Sequence, residues 1–149
     1  GALKSFLDEQ GMPLNHIKPH GSLYVMAAKD DNMAHAIADA VETFNVPVFG
    51  MANTSHEKVY KDERGLDFIA EFYADLDYDE NGKLVIAKGK NAKYDAKIAT
   101  DRVMRALSEK KVTNTVGKDI DVGCDTICVH SDTPNAVEII KGIKSAINK

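Results

Sequence analysis

Tryptophan is absent from these 149 residues, and there are only two cysteines. Cys124 and Cys128 have no second pair to complete a four-thiolate metal site, so they are expected to be reduced thiols, Cys128 lying in the core. That places the chain in a cytoplasmic compartment. No apolar run approaches the length of about eighteen residues that a transmembrane helix needs, so no membrane is expected. An excess of one charge is missing as well. The 19 Lys and Arg are interspersed with 23 Asp and Glu for a net charge of −4, and without a basic stripe nucleic acid is not an expected partner. The opening "GALKSFLDEQ" lacks the basic start and apolar centre of a signal peptide. It reads as the interior of a helix without an initiator methionine, so a processed or truncated chain is expected.

What remains is ordinary for a folded domain. With 44% hydrophobic and 28% charged residues, the length suits one domain with a real core and is short for two. No repeat or low-complexity linker divides it.

The pattern alternates strand and helix four times. "ALKSFLDEQ" has helical spacing and Gly11 is placed to stop it. "LNHIK" reads as a strand, and "SLYVMAAKD" and "NMAHAIADAVETF" as helices, the second with a stripe of Met33, Ile37, Ala40, Val41 and Phe44 that leaves His35 solvated. "VPVFGM" and "LDFIAEFY" read as strands around a helix in "TSHEKVYKDERG". Asn81-Gly82 marks one hairpin and Gly117 another. "YDAKIATDRVMRALSEK" reads as a helix with Ile98, Val103, Met104 and Leu107 on its apolar side, and "DTICVHS" as a buried strand. A last helix would take Thr133 as N-cap and Pro134 as its first residue. "KGKNAK", residues 88–93, reads as a solvated loop. The alternation predicts an α/β fold with a mainly parallel sheet and hairpin decorations.

In such folds chemistry gathers beyond the carboxyl ends of the strands, and each predicted strand exits into polar residues. The first exit carries Lys18 and His20 and the second Asn53, Ser55 and His56. The third strand carries Glu71 and runs to Asp75, and the fourth exits through His130, Ser131 and Asp132. Four such exits on one rim predict a polar cleft, with Lys18, His20, Glu71 and Asp132 converging on it. Pro19 between His16 and His20 disfavours a helical zinc pair. Asn53 is read as a turn residue, and His16 and His56 as surface or hydrogen-bonded structural residues.

Three segments, "HIKPHGSLY", "EFYADLDYDENGKLV" and "ICVHSDTPNAVEI", resemble in order and spacing the signature segments of the LamB/YcsF family, the A component of bacterial ATP-dependent 5-oxoprolinase. The resemblance spans nearly the whole chain but matches the C-terminal part of the family sequence. The acidic Asp-x-Asn-x-Asp-x-Gly-Glu segment and the histidine-bearing segments that open family members are not in this sequence. The resemblance carries over Lys18, His20, Gly21 and Tyr24; Glu71, Ala74, Asp75 and Tyr78; and His130, Asp132, Thr133 and Pro134. Where the family usually has Arg after the Ala-Asp pair this chain has Leu76, which cannot clamp a carboxylate or phosphate. Ser131 stands where the family often has Gly.

The resemblance implies a single domain over residues 1–149, part of a distorted seven-stranded β/α barrel of the glycoside hydrolase/deacetylase type. It implies opening of 5-oxo-L-proline to L-glutamate with ATP as cosubstrate and the B and C subunits of 5-oxoprolinase as partners. This fragment alone would be inactive and would pair with a second copy or with a missing N-terminal half. Lys18, His20, Glu71, Asp75, His130 and Asp132 would form the catalytic set: Lys18 as a point charge, His20 or His130 moving the proton, and Asp132 or Glu71 orienting the histidine or activating water. No Walker-type glycine loop gives ATP a site. A divalent metal fits by analogy with related deacetylases, with most ligands in the N-terminal part. A metal-dependent carbohydrate or amide deacetylase is the competing reading, and a non-enzymatic carbohydrate- or protein-binding module the third.

Overall fold

A computed structural model of the chain describes residues 1–86 and 94–148; "KGKNAK" therefore lies outside the described residues. Contacts group into two compact units, one of Gly1–Gly50 with Thr54–Ile69 and the other of Met51–Asn53 with Ala70–Lys149.

The first unit opens with helix α1, Ala2–Glu9, which buries none of its residues and ends before Gly11, whose φ of 63° suits glycine. The predicted strand in "LNHIK" shrinks to one parallel bridge, Ile17 to Val48. Pro13 and Pro19 bracket it, and neither can donate to a ladder. Helices α2, Ser22–Ala27, and α3, Asp31–Glu42, follow, the latter capped by the Asp30 carboxylate, which accepts from Asn32 N at 2.9 Å and Met33 N at 3.2 Å. The buried stripe of α3 is Ala34, Ala38 and Val41, not the larger set predicted, and Ala40 is exposed. Small side chains let α3 approach Val48, Val59 and Tyr60 closely in the unit's core. His35 is paired rather than merely solvated, its Nε2 lying 2.9 Å from Glu63.

Strand β1 is Val48–Gly50, hydrogen-bonded next to the start of strand β2, Phe68–Tyr73. The segment between them forms a π-helix, Glu57–Glu63, where an α-helix was predicted. Its wider turn is closed by Arg64 N to Val59 O at 3.0 Å, and Arg64 ties it to Asp39 and Glu42 of α3.

In the second unit β2 runs parallel to β7, Thr126–Cys128, with Glu71 opposite Thr126 and Tyr73 opposite Cys128. Two antiparallel hairpins decorate it: β3, Asp77–Tyr78, with β4, Leu84–Val85, and β5, Lys111–Thr113, with β6, Asp119–Asp121. Their turns hold Gly82 at φ 72° and Gly117 at φ 79°, as predicted. Helix α4, Ala96–Glu109, buries Ala99, Val103 and Ala106, while Ile98 and Met104, predicted inside, are exposed. It packs on α5, Ala136–Ile147. A Cβ at Gly142 of α5 would lie 2.8 Å from Thr100 Oγ1, so the two helices are as close as a bare backbone permits. Both cysteines are thiols, and the more buried is Cys124 rather than Cys128; burial pushes the Cys124 thiol up to about 11. No described helix is long and apolar enough to cross a membrane.

Gly123, just after β6, faces the tightest packing in this unit: a Cβ there would stand 2.4 Å from Ala70 Cβ and 2.8 Å from Ala52 Cβ. Gly123→Ala is expected to lower unfolding stability by about 1–3 kcal/mol, since both neighbours are short and cannot swing away. A urea midpoint equal to that of the parent chain would contradict this packing.

Candidate functional site

The parallel register of β2 and β7 sets the site in the second unit. Two residues beyond the paired Tyr73 and Cys128 stand Asp75 and His130, so equal steps from matched positions bring a carboxylate to an imidazole. Asp75 is buried at 3% exposure and accepts three hydrogen bonds. His130 donates its backbone N–H at 2.9 Å and its Nδ1 stands 2.9 Å from Oδ1, while the Thr133 hydroxyl donates at 2.7 Å. Burial alone would raise the Asp75 carboxyl, but the bonds from His130 and Thr133 outweigh it and hold it below the ordinary carboxylate value. An ionised carboxylate has no proton to give, so Nδ1 is the donor in this contact. The His130 side chain is 37% exposed, so substrate-sized groups can reach it.

Glu71 joins this cluster through Tyr73. Side chains two apart on a strand share a face, and Tyr73 Oη donates to Glu71 Oε2 at 2.9 Å. The same ring stacks on His130 with centroids 5.7 Å apart. Glu71 also lines a cavity of about 320 Å³ with Asn53, Tyr78, Glu80, Asn81 and Asp121 among its other walls. Asn53, at φ 58°, donates its amide to Asp121 O at 3.1 Å; the expected turn residue thus ties one wall of this cavity to another.

Behind the cluster, Arg102 of α4 holds the turn that follows Asp75. Its guanidinium donates to Leu76 O at 2.6 Å and Asp77 Oδ1 at 3.2 Å, and also contacts Tyr94 Oη. The rings of Phe72, Tyr78 and Tyr94 lie within 6.0 Å of it. Thr133 does not cap α5; Asn135 occupies the N-cap position, its side chain exchanging hydrogen bonds with the Tyr94 backbone at 3.2 and 2.7 Å. Thr133 is instead spent on Asp75. Asp132 is exposed in the turn between His130 and Thr133.

Lys18 and His20 belong to the first unit. Both are exposed, and the Lys18 ammonium lies 5.7 Å from the Tyr24 ring centre. His16 stacks on Phe49 at 4.0 Å. His56 is fully buried, edge-on to Tyr24 at 4.6 Å and stacked on Tyr60 at 5.2 Å, which makes it structural and removes the surface reading. Burial pushes its imidazole down to about 4, against a hydrogen bond with the Tyr24 backbone.

Of the six predicted catalytic residues, the structure therefore brings Asp75 and His130 into direct contact and links Glu71 to them. Sequence reading missed Tyr73 and misassigned Thr133. The period-two pairing of Tyr73 with Glu71 is a usable signal, and for Thr133 the signal is its place in the matched segment "ICVHSDTPNAVEI". Among the described residues no group of three or more His, Cys, Asp and Glu is placed to hold a metal ion.

The arrangement defines a mixed α/β protein with a carboxylate–histidine–hydroxyl cluster at the exits of two parallel strands. The chain belongs to the LamB/YcsF family, matched across residues 1–149. It is 40% identical over 152 residues to the A component of a 5-oxoprolinase from Campylobacter jejuni, covering 100% of this chain and 59% of that one. Against a lactam utilization protein lamB of Emericella nidulans it is 41% identical over 156 residues with the same coverage. The crystal structure of a lactam utilization protein from Thermus thermophilus matches at a TM-score of 0.83 and 33% identity, over 99% of this chain and 60% of that one. The chain thus spans about three fifths of the length of these relatives.

The buried His56 fixes an acid response. Neutral in the fold and protonated in the unfolded chain below its ordinary 6.5, it makes stability fall as pH drops from 6.5 towards about 4. The loss attributable to it should reach about 3 kcal/mol. Unfolding midpoints across that window should fall more steeply for the parent chain than for His56→Phe; parallel slopes would refute the assignment.

Proposed function

We propose that this chain is part of the A component of an ATP-dependent 5-oxoprolinase, opening the lactam of 5-oxo-L-proline to L-glutamate. The observation that carries the reading is the Asp75–His130 contact at 2.9 Å, made by an imidazole whose side chain is 37% exposed. Support also comes from relatives of that name along the whole chain. The complete enzyme would add the B and C subunits, and the cytoplasm is the proposed compartment. The parallel β2–β7 pair with its hairpins would be one arc of a seven-stranded barrel.

Opening an unactivated lactam means water attack on a poor electrophile, so the carbonyl must first be polarised or phosphorylated. ATP would supply the second route, and no glycine loop in this chain assigns it a site. With the carbonyl oxygen phosphorylated, water attack on that carbon moves the C–N π pair onto the ring nitrogen and releases a proton from water. His130 takes that proton while Asp75 stabilises the imidazolium through Nδ1. Collapse breaks the C–N bond, the ring nitrogen takes the proton back from His130 to leave as an amine, and a second water hydrolyses the remaining acyl phosphate to L-glutamate and phosphate. Glu71 faces the cavity as an acceptor for a substrate N–H or water. Lys18, as a point charge for oxyanion or phosphate, and His20 and Asp132, as proton-transfer or orienting groups, complete the proposed set.

The test is ATP-dependent glutamate release by the complete enzyme with its partner subunits. His130→Ala should cost at least about a hundredfold in rate, and Asp75→Asn should also cost rate, because it disturbs both the His130 tautomer and the exit turn that the carboxylate anchors. His20→Ala and Asp132→Ala should each cost about a hundredfold if they do acid–base work; near-normal turnover removes the residue concerned from the set. No ATP-dependent glutamate release from the parent enzyme would end this reading.

A further inference from the structure

We infer that Tyr73 is a positioning residue that sets two groups at once, holding the Glu71 carboxylate through its hydroxyl and the His130 ring through its face. The inference rests on the lactam-opening reading for its link to rate, but its geometry stands apart from it. Tyr73 is 4% exposed and Glu71 6%, so the 2.9 Å bond between them is largely shielded from solvent, where a polar group left without a partner is costly. The strand beneath the ring is held as well, since Tyr78 Oη accepts the Tyr73 backbone N–H at 2.9 Å. The Tyr73 ring lies 26° from parallel with the imidazole. One edge of His130 meets Asp75 and one face packs on Tyr73, two independent contacts that both bear on its orientation.

Two substitutions separate these roles. Tyr73→Phe keeps the ring over His130 and removes the donor to Glu71; Tyr73→Leu removes both. Titratable groups near Glu71 include Tyr73 and Tyr78, with Glu80 and Asp121 lining the same cavity, and those near His130 include Asp75 and Tyr73.

The experiment is an NMR titration of the Glu71 carboxyl and the His130 imidazole in the full chain, beside turnover of the complete enzyme. In Tyr73→Phe the Glu71 titration should move upward while that of His130 holds, and the acid limb of kcat/KM should move upward with Glu71. In Tyr73→Leu the His130 titration should move as well, with a loss in kcat of about tenfold or more and a smaller change in KM. A residue that only fills space would leave both titrations and the pH profile in place in the Phe variant, and that result overturns the inference. Titrations that shift as described, in a parent enzyme inactive on 5-oxoproline, would uphold the Tyr73 assignment and refute the reaction instead.

Discussion

The Asp75 carboxylate governs the second unit. It is almost wholly withdrawn from water, and a lone buried carboxylate would be expected to take up a proton. Three donors, all from residues 130 and 133, prevent that. The anion therefore depends on the segment after β7 being folded against the end of β2, and that segment in turn depends on the anion. One bond comes from a backbone N–H, so the strand exit itself, and not merely a side chain, is anchored. An isosteric amide could accept fewer of these bonds and would present its own N–H groups to donors, so the cluster is selective for charge as well as shape.

Around this anion the supporting atoms form a second layer with a consistent logic. Phe72, Tyr78 and Tyr94 wall off the Arg102 guanidinium, whose charge is met by Asp77 and whose donors reach the carbonyl of Leu76. Burial lowers Arg102 from its ordinary value and Asp77, Tyr78 and Asp75 oppose the change. A fixed positive group behind the turn favours the ionised form of Asp75. The absence of arginine at position 76 thus does not leave the turn without a cation; a side chain of α4 reaches its backbone from behind.

Much of the scaffold was legible because it obeys short-range rules. The hairpins announced themselves through Asn81-Gly82 and Gly117, β2 through its apolar and aromatic content, and α1 through its period and Gly11. The failures share a cause: they were decided by neighbours that local pattern cannot show. In α3 and α4 the buried faces are alanine-centred, because close helix packing favours small residues over the large apolar ones that a pattern search weights. Thr133 had every local mark of an N-cap, yet a buried carboxylate more than fifty residues away is a stronger partner for its hydroxyl than a helix end open to water. For the candidate site, residue types at strand exits were sufficient to find Asp75, His130 and Glu71; pairing them required the register of β2 with β7. Tyr73 stayed hidden because an aromatic residue on a buried strand is accounted for by packing alone.

The histidines show what separates a candidate from a bystander. His16, His56 and His130 all lie near strand-like segments, and sequence alone gives each the same imidazole. His16 stacks on Phe49 at the surface, and its Nδ1 meets the neighbouring Asn15 side chain at 2.8 Å. His56 sits between two tyrosine rings with no exposed surface, and burial pushes its imidazole down, so it lacks the solvent-facing ring a proton shuttle uses. His130 alone among the three has a buried anion at one ring nitrogen and solvent near the ring. A proton shuttle needs a partner that favours the charged form and a route to the reactant. Parallel strands supply the first by delivering residues from distant parts of the sequence to one level, and the exit turn supplies the second by ending the ladder there. The pairing of strands, rather than the presence of histidine, is what turns these residues into a candidate active centre.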